Sequence, residues 1–108
     1  MADRIATQQA EAALERALSE VEASEARLNA AHAEKDLRQS ELERVEELAT
    51  RGIAPDTDLE TARQAAQAAR ALAERRQAEL EVTRAEVGTA RTRLERAALR
   101  AADRDIMR

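Results

Sequence analysis

The sequence has no phenylalanine, tyrosine, tryptophan or cysteine, and in 108 residues it holds one proline, two glycines and one histidine. Each shortage removes a class of explanation. A compact globular domain of this length normally buries aromatic side chains, so a large single core is not expected and burial has to come from a seam. Without cysteine no disulfide can form. His32 has no cysteine and no HxxxH partner, so it reads as a solvated side chain and not as a metal ligand. The serines and threonines have no His/Asp constellation around them, and no glycine-rich phosphate loop is present. No apolar run approaches the ~18–20 residues that a membrane span requires, and no signal peptide is visible. The formal net charge of −4 supplies no basic face for nucleic acid. A two-helix chain also has no concave pocket in which to shift a pKa. Neither an enzyme nor a cofactor site is expected.

What remains is the composition of long helices. Ala, Glu, Arg and Leu dominate, and 37% of the residues are charged, as in coiled coils. Neither proline nor glycine interrupts Asp3 to Arg51. Over that arm a seven-residue series runs Thr7, Leu14, Val21, Leu28, Lys35, Leu42, Ala49, and a second runs Ala10, Ala17, Ser24, Ala31, Arg38, Val45. These are the a and d positions of an unbroken heptad. Leu18, Leu37 and Leu48 lie off the seam, either as flanks of a widened stripe or as a second contact surface. Glu34–Arg38 and Glu47–Arg51 have the favoured i,i+4 order. The second arm repeats the pattern. Its a series is Leu59, Ala66, Ala73, Leu80, Val87, Leu94, Ala101 and its d series is Ala62, Ala69, Arg76, Thr83, Ala90, Ala97. Gly88 sits beside this seam with no functional reason apparent from the pattern, at up to ~1 kcal/mol of helix propensity.

The two arms register when the chain folds back on itself. Opposed a positions total 108 in residue number and opposed d positions total 107. Leu28 then faces Leu80, Val21 faces Val87 and Leu14 faces Leu94. Each long seam cation meets an alanine: Lys35 with Ala73, Arg38 with Ala69, Arg76 with Ala31. Alanine leaves room for the aliphatic stems to cover the seam while the charged heads reach water; the same three cations could instead weaken the seam or reach a neighbouring hairpin. The arms also differ in charge. Residues 1–52 carry 12 acidic and 7 basic groups, and residues 56–108 carry 10 and 11, a weak complementarity that favours association at low salt. The fold class is therefore all-α: a long antiparallel two-helix coiled-coil hairpin. Arm one covers about 3–51, the tip 52–55 and arm two about 56–103. An arm of about 48 residues spans roughly 70 Å at the helical rise.

The reversal lies at Arg51-Gly52-Ile53-Ala54-Pro55-Asp56. Gly52 can take the left-handed conformation that ends a helix, which puts Leu48 and Ile53 at the two positions whose contact accompanies a Schellman ending. Pro55 forbids continuation and suits the first turn of the next helix. Asp56 and Asp58 complement that helix's dipole, and Thr57 with Glu60 has capping-box spacing if the helix starts slightly later.

The segment from Arg44 to Ala62, RVEELATRGIAPDTDLETA, resembles the hairpin tip of the membrane fusion proteins, the HlyD-like periplasmic adaptors of bacterial efflux and type I secretion systems. The family's tip has an arginine, a leucine four residues on, often a glycine four beyond, and commonly a serine three further. Arg44, Leu48 and Gly52 match; Pro55 stands at the serine position, which looks more like the secretion and ABC-exporter branches. Leu94 to Ala101, LERAALRA, looks like the segment where such hairpins re-enter a lipoyl domain, although that domain's following Pro and Gly are missing. The resemblance covers nearly the whole chain but only the family's hairpin domain. It implies a periplasmic location and a tip of Arg44, Leu48, Gly52, Ile53, Ala54 and Pro55 that docks a TolC-like outer-membrane channel. It also implies neighbouring adaptor hairpins at the sides and an inner-membrane transporter reached through other parts of the parent. Leu48 and Ile53 could instead serve the turn alone. The alternative function is a structural coiled-coil spacer or an oligomerising helical scaffold unrelated to export.

Overall fold

A computed structural model describes residues 2–106. They form two α-helices, α1 (Ala2–Thr50) and α2 (Asp56–Ile106), joined by a short turn, with no strand among the described residues. The chain is an all-α antiparallel two-helix coiled-coil hairpin. Both helices begin and end within three residues of the bounds expected from the sequence. The uninterrupted run of good helix formers in α1 and the single Gly-x-x-Pro break account for this.

Burial follows the heptads. Every buried residue among those described, from Ser24 and Leu28 to Val87 and Ala90, occupies an a or d position, and every other a or d position named above is half-buried. The contacts within the chain group into two units: Glu25–Ala78, which contains the turn, and Met1–Ser24 with Glu79–Arg108.

In the unit around the turn, Leu28, Leu42, Ala31, Ala66, Ala69 and Ala73 are buried. The seam cations Lys35, Arg38 and Arg76 are each half-buried, while the alanines expected opposite them are at most 6% exposed. That is the outcome if the stems lie over the seam and the heads reach water. The Arg38 head is held twice along its own helix. Its Nε donates to Glu34 Oε1 at 2.8 Å and its Nη1 to Glu41 Oε2 at 3.0 Å. The hydrogen bond to Glu41, then that to Glu34, raises the Arg38 pKa further above its ordinary value. Across the arms, Arg70 Nη2 donates to Gln39 Oε1 at 2.7 Å.

In the other unit Leu80, Val87, Ala90 and Ser24 are buried, and Arg104 Nη1 pairs with Asp3 Oδ2 at 2.9 Å. The residue numbers of these two cross-arm contacts total 109 and 107. They bracket the expected register, one in each unit.

The off-seam leucines divide. Leu48 is half-buried beside the seam. Leu18 and Leu37 are 41% and 50% exposed, so neither adds a covered flank to the seam.

Among the described residues one buried side-chain group in the seam is unsatisfied. Ser24 is 1% exposed and its hydroxyl has no hydrogen-bond partner. In the expected register Thr83 lies opposite, but its hydroxyl donates to the Leu80 carbonyl of its own helix at 2.9 Å. A buried hydroxyl without a partner costs about 1–3 kcal/mol of desolvation. Ser24→Ala should therefore raise stability by about 1 kcal/mol, read as a higher thermal midpoint by circular dichroism. A lower midpoint would show that the hydroxyl is satisfied in solution.

Candidate functional site

The turn is built from backbone chemistry. Gly52 has φ of 73°, a conformation that costs an L-residue roughly 1–2 kcal/mol. With Gly52 there, its N–H donates to the Ala49 carbonyl at 3.0 Å and the Ile53 N–H donates to the Leu48 carbonyl at 2.9 Å. These are the two bonds of a Schellman ending. The Ala54 N–H reaches the same Leu48 carbonyl at 3.3 Å. The Pro55 carbonyl then accepts the N–H groups of Asp58 and Leu59 at 3.1 and 3.3 Å, so Pro55 caps α2 from just outside it and does not occupy the first helical position. Because α2 already begins at Asp56, Thr57 lies inside the helix. Its carbonyl accepts the Thr61 hydroxyl, and the capping-box option with Glu60 is not the one adopted. Asp56 and Asp58 do lie in the first turn, where carboxylates complement the helix dipole.

The six tip residues fall into two groups. Leu48 and Ala54 are half-buried and hold the turn; Arg44, Gly52, Ile53 and Pro55 are exposed. Ile53 keeps 66% of its surface exposed, so little of it is covered by Leu48 and most of it is presented to solvent.

The position of Arg44 depends on its neighbours' pairing. On a helix its reachable carboxylates are those three or four residues away, which are Glu41 and Glu47. Glu41 is bonded to Arg38 and Glu47 to Arg51, the latter at 2.7 Å. Arg44 forms no hydrogen bond or ion pair with any described residue. Its guanidinium stands uncommitted among carboxylates, since residues 43–60 carry six acidic groups and only two arginines, Arg44 and Arg51. Sequence reasoning named Arg44 but missed why it is free. The Arg38–Glu41 pair that completes the explanation has i,i+3 spacing and could have been read from the sequence.

No protein-family model, curated protein or solved structure matches the chain. Elsewhere, His32 is exposed at a shallow cleft with Lys35, Arg70, Ala73, Glu74 and Gln77. Among the described residues no group of three or more His, Cys, Asp or Glu side chains could hold a metal ion, and no helix is long and apolar enough to cross a membrane.

Two substitutions should separate turn from surface. Arg44→Ala removes an exposed, unpaired side chain and should change stability by less than about 0.5 kcal/mol. Gly52→Val adds a Cβ that meets no neighbour within 4 Å at a backbone φ of 73°, so backbone strain is the expected cost. It should lower stability by about 1–2 kcal/mol or more, seen as an earlier denaturant midpoint with unchanged helicity at low denaturant.

Proposed function

We propose that this chain is a docking arm whose turn end binds a partner, and that it serves as the hairpin of an HlyD-like periplasmic adaptor. In that role it joins an inner-membrane transporter, reached through other parts of its parent, to a TolC-like outer-membrane channel, with neighbouring hairpins alongside. The observation that carries the docking reading is the uncommitted Arg44 guanidinium, left free because both carboxylates within its reach are engaged. A guanidinium fits carboxylates or helix-end carbonyls of a partner. The exposed Ile53 at the same end supplies an apolar contact. The Arg-Leu-Gly spacing at positions 44, 48 and 52 connects this surface to the adaptor family by resemblance.

The competing reading, a structural spacer or oligomerising scaffold, draws on the exposed Leu37 and Val82, at 50% and 58%, which lie along the arms. Binding to a purified TolC-like channel distinguishes the two. Arg44→Ala should weaken that binding at least about fivefold, the loss expected of a directional contact worth more than 1 kcal/mol. Arg91→Ala, which removes an exposed and unpaired charge far along α2, should leave it unchanged. Equal loss from both variants, or from Arg91→Ala alone, would favour the scaffold.

A further inference from the structure

Helix α2 is not uniform along its length. Residues 66–76 contain only Ala, Gln, Arg, Leu and Glu, all strong helix formers. Residues 82–92 contain Val82, Thr83, Val87, Thr89, Thr92 and Gly88. β-Branched residues lose side-chain freedom against the preceding turn, and glycine loses most backbone freedom. Gly88 has no packing reason to be glycine: a Cβ there would meet nothing within 4 Å. Its φ is not in the left-handed region, since Gly52 is the only glycine with positive φ.

Three further observations fall on the same stretch. Thr83, Thr89 and Thr92 donate their hydroxyls back to the carbonyls of Leu80, Ala85 and Gly88 at 2.9, 3.3 and 3.1 Å. Such bonds compete with the helix's own hydrogen bonding and favour bending. The other threonines that bond this way, Thr7, Thr50 and Thr61, lie within two turns of a helix end. Among the described residues no ion pair braces the stretch either. Arg84, Glu86 and Arg91 have no partner among the described residues, and Gly88 occupies the position where a carboxylate four residues after Arg84 would sit. Finally, the seam carries a polar defect here. Between Leu80 and Leu94 its members are Thr83, Val87 and Ala90, and the buried, unpartnered Ser24 hydroxyl lies in the same unit.

We infer that residues 82–92 form a built-in yield point, where α2 opens and bends locally while the helix on the turn side stays intact. The device explains Gly88, which neither the seam nor the tip requires, and it does not depend on what the tip binds. Local opening of this kind is a sub-global transition, distinct from unfolding of the whole chain.

Amide hydrogen exchange of the complete chain tests it. Amides at 86–92 should exchange at least about tenfold faster than those at 66–76. Gly88→Ala, whose methyl enters open space, should slow exchange at 86–92 about fivefold and leave 66–76 unchanged. Replacing exposed Thr89 and Thr92 by alanine should slow it about fivefold again. Exchange that rises monotonically from residue 76 to the chain end would assign the effect to fraying and overturn the inference. An unchanged rate at 86–92 in Gly88→Ala, or an equal slowing along all of α2, would overturn it too.

Discussion

A chain of two helices can bury only one stripe on each, and that single seam is the constraint on which the structure depends. Hydrophobic burial contributes roughly 25 cal/mol per Å², so a stripe of alanines with intermittent leucines and valines supplies far less than a globular core. The remaining features offset that shortfall. Strong helix formers reduce the cost of ordering the backbone, alanines make room for the stems of Lys35, Arg38 and Arg76, and Glu34 with Glu41 fixes the Arg38 head at the seam's edge. Where these supports are missing, as over residues 82–92, the same thin seam leaves the helix free to yield.

The turn shows how one residue can set both a fold and a surface. Gly52 in the left-handed region allows the Leu48 carbonyl to accept the amides of both Ile53 and Ala54. Leu48 is thereby committed to the turn through its backbone, while Ile53 is turned outward. The exposed apolar side chain at the turn end is a consequence of the capping geometry. Arg44 reaches its state by a different route, through competition: two neighbouring arginines take the carboxylates that would otherwise hold it.

Much of this was legible in the sequence because helices and heptads are local and periodic. The absence of proline and glycine from residues 3–51, the Gly52 stop and the a/d series require only near neighbours to be interpreted. The register was legible because complementary sizes repeat along both arms, and the Gln39–Arg70 and Asp3–Arg104 contacts fall within one residue of it. The tip residues could be named from motif spacing. Which of them would be covered and which would be presented to solvent could not, since that depends on the path of the chain through the turn.

The sequence by itself determined two long helices, one reversal at Gly52 and the faces that would meet, since those follow from propensity, periodicity and a single residue able to adopt positive φ. Only the tertiary structure decided which hydrogen bonds were satisfied. It left the Ser24 hydroxyl buried without a partner, drew Arg70 across to Gln39 and placed Pro55 just outside α2. The physical reason is that each donor or acceptor can satisfy only a few partners at a time, and the choice among neighbours of equal spacing is made by the positions of all the others once the arms have packed.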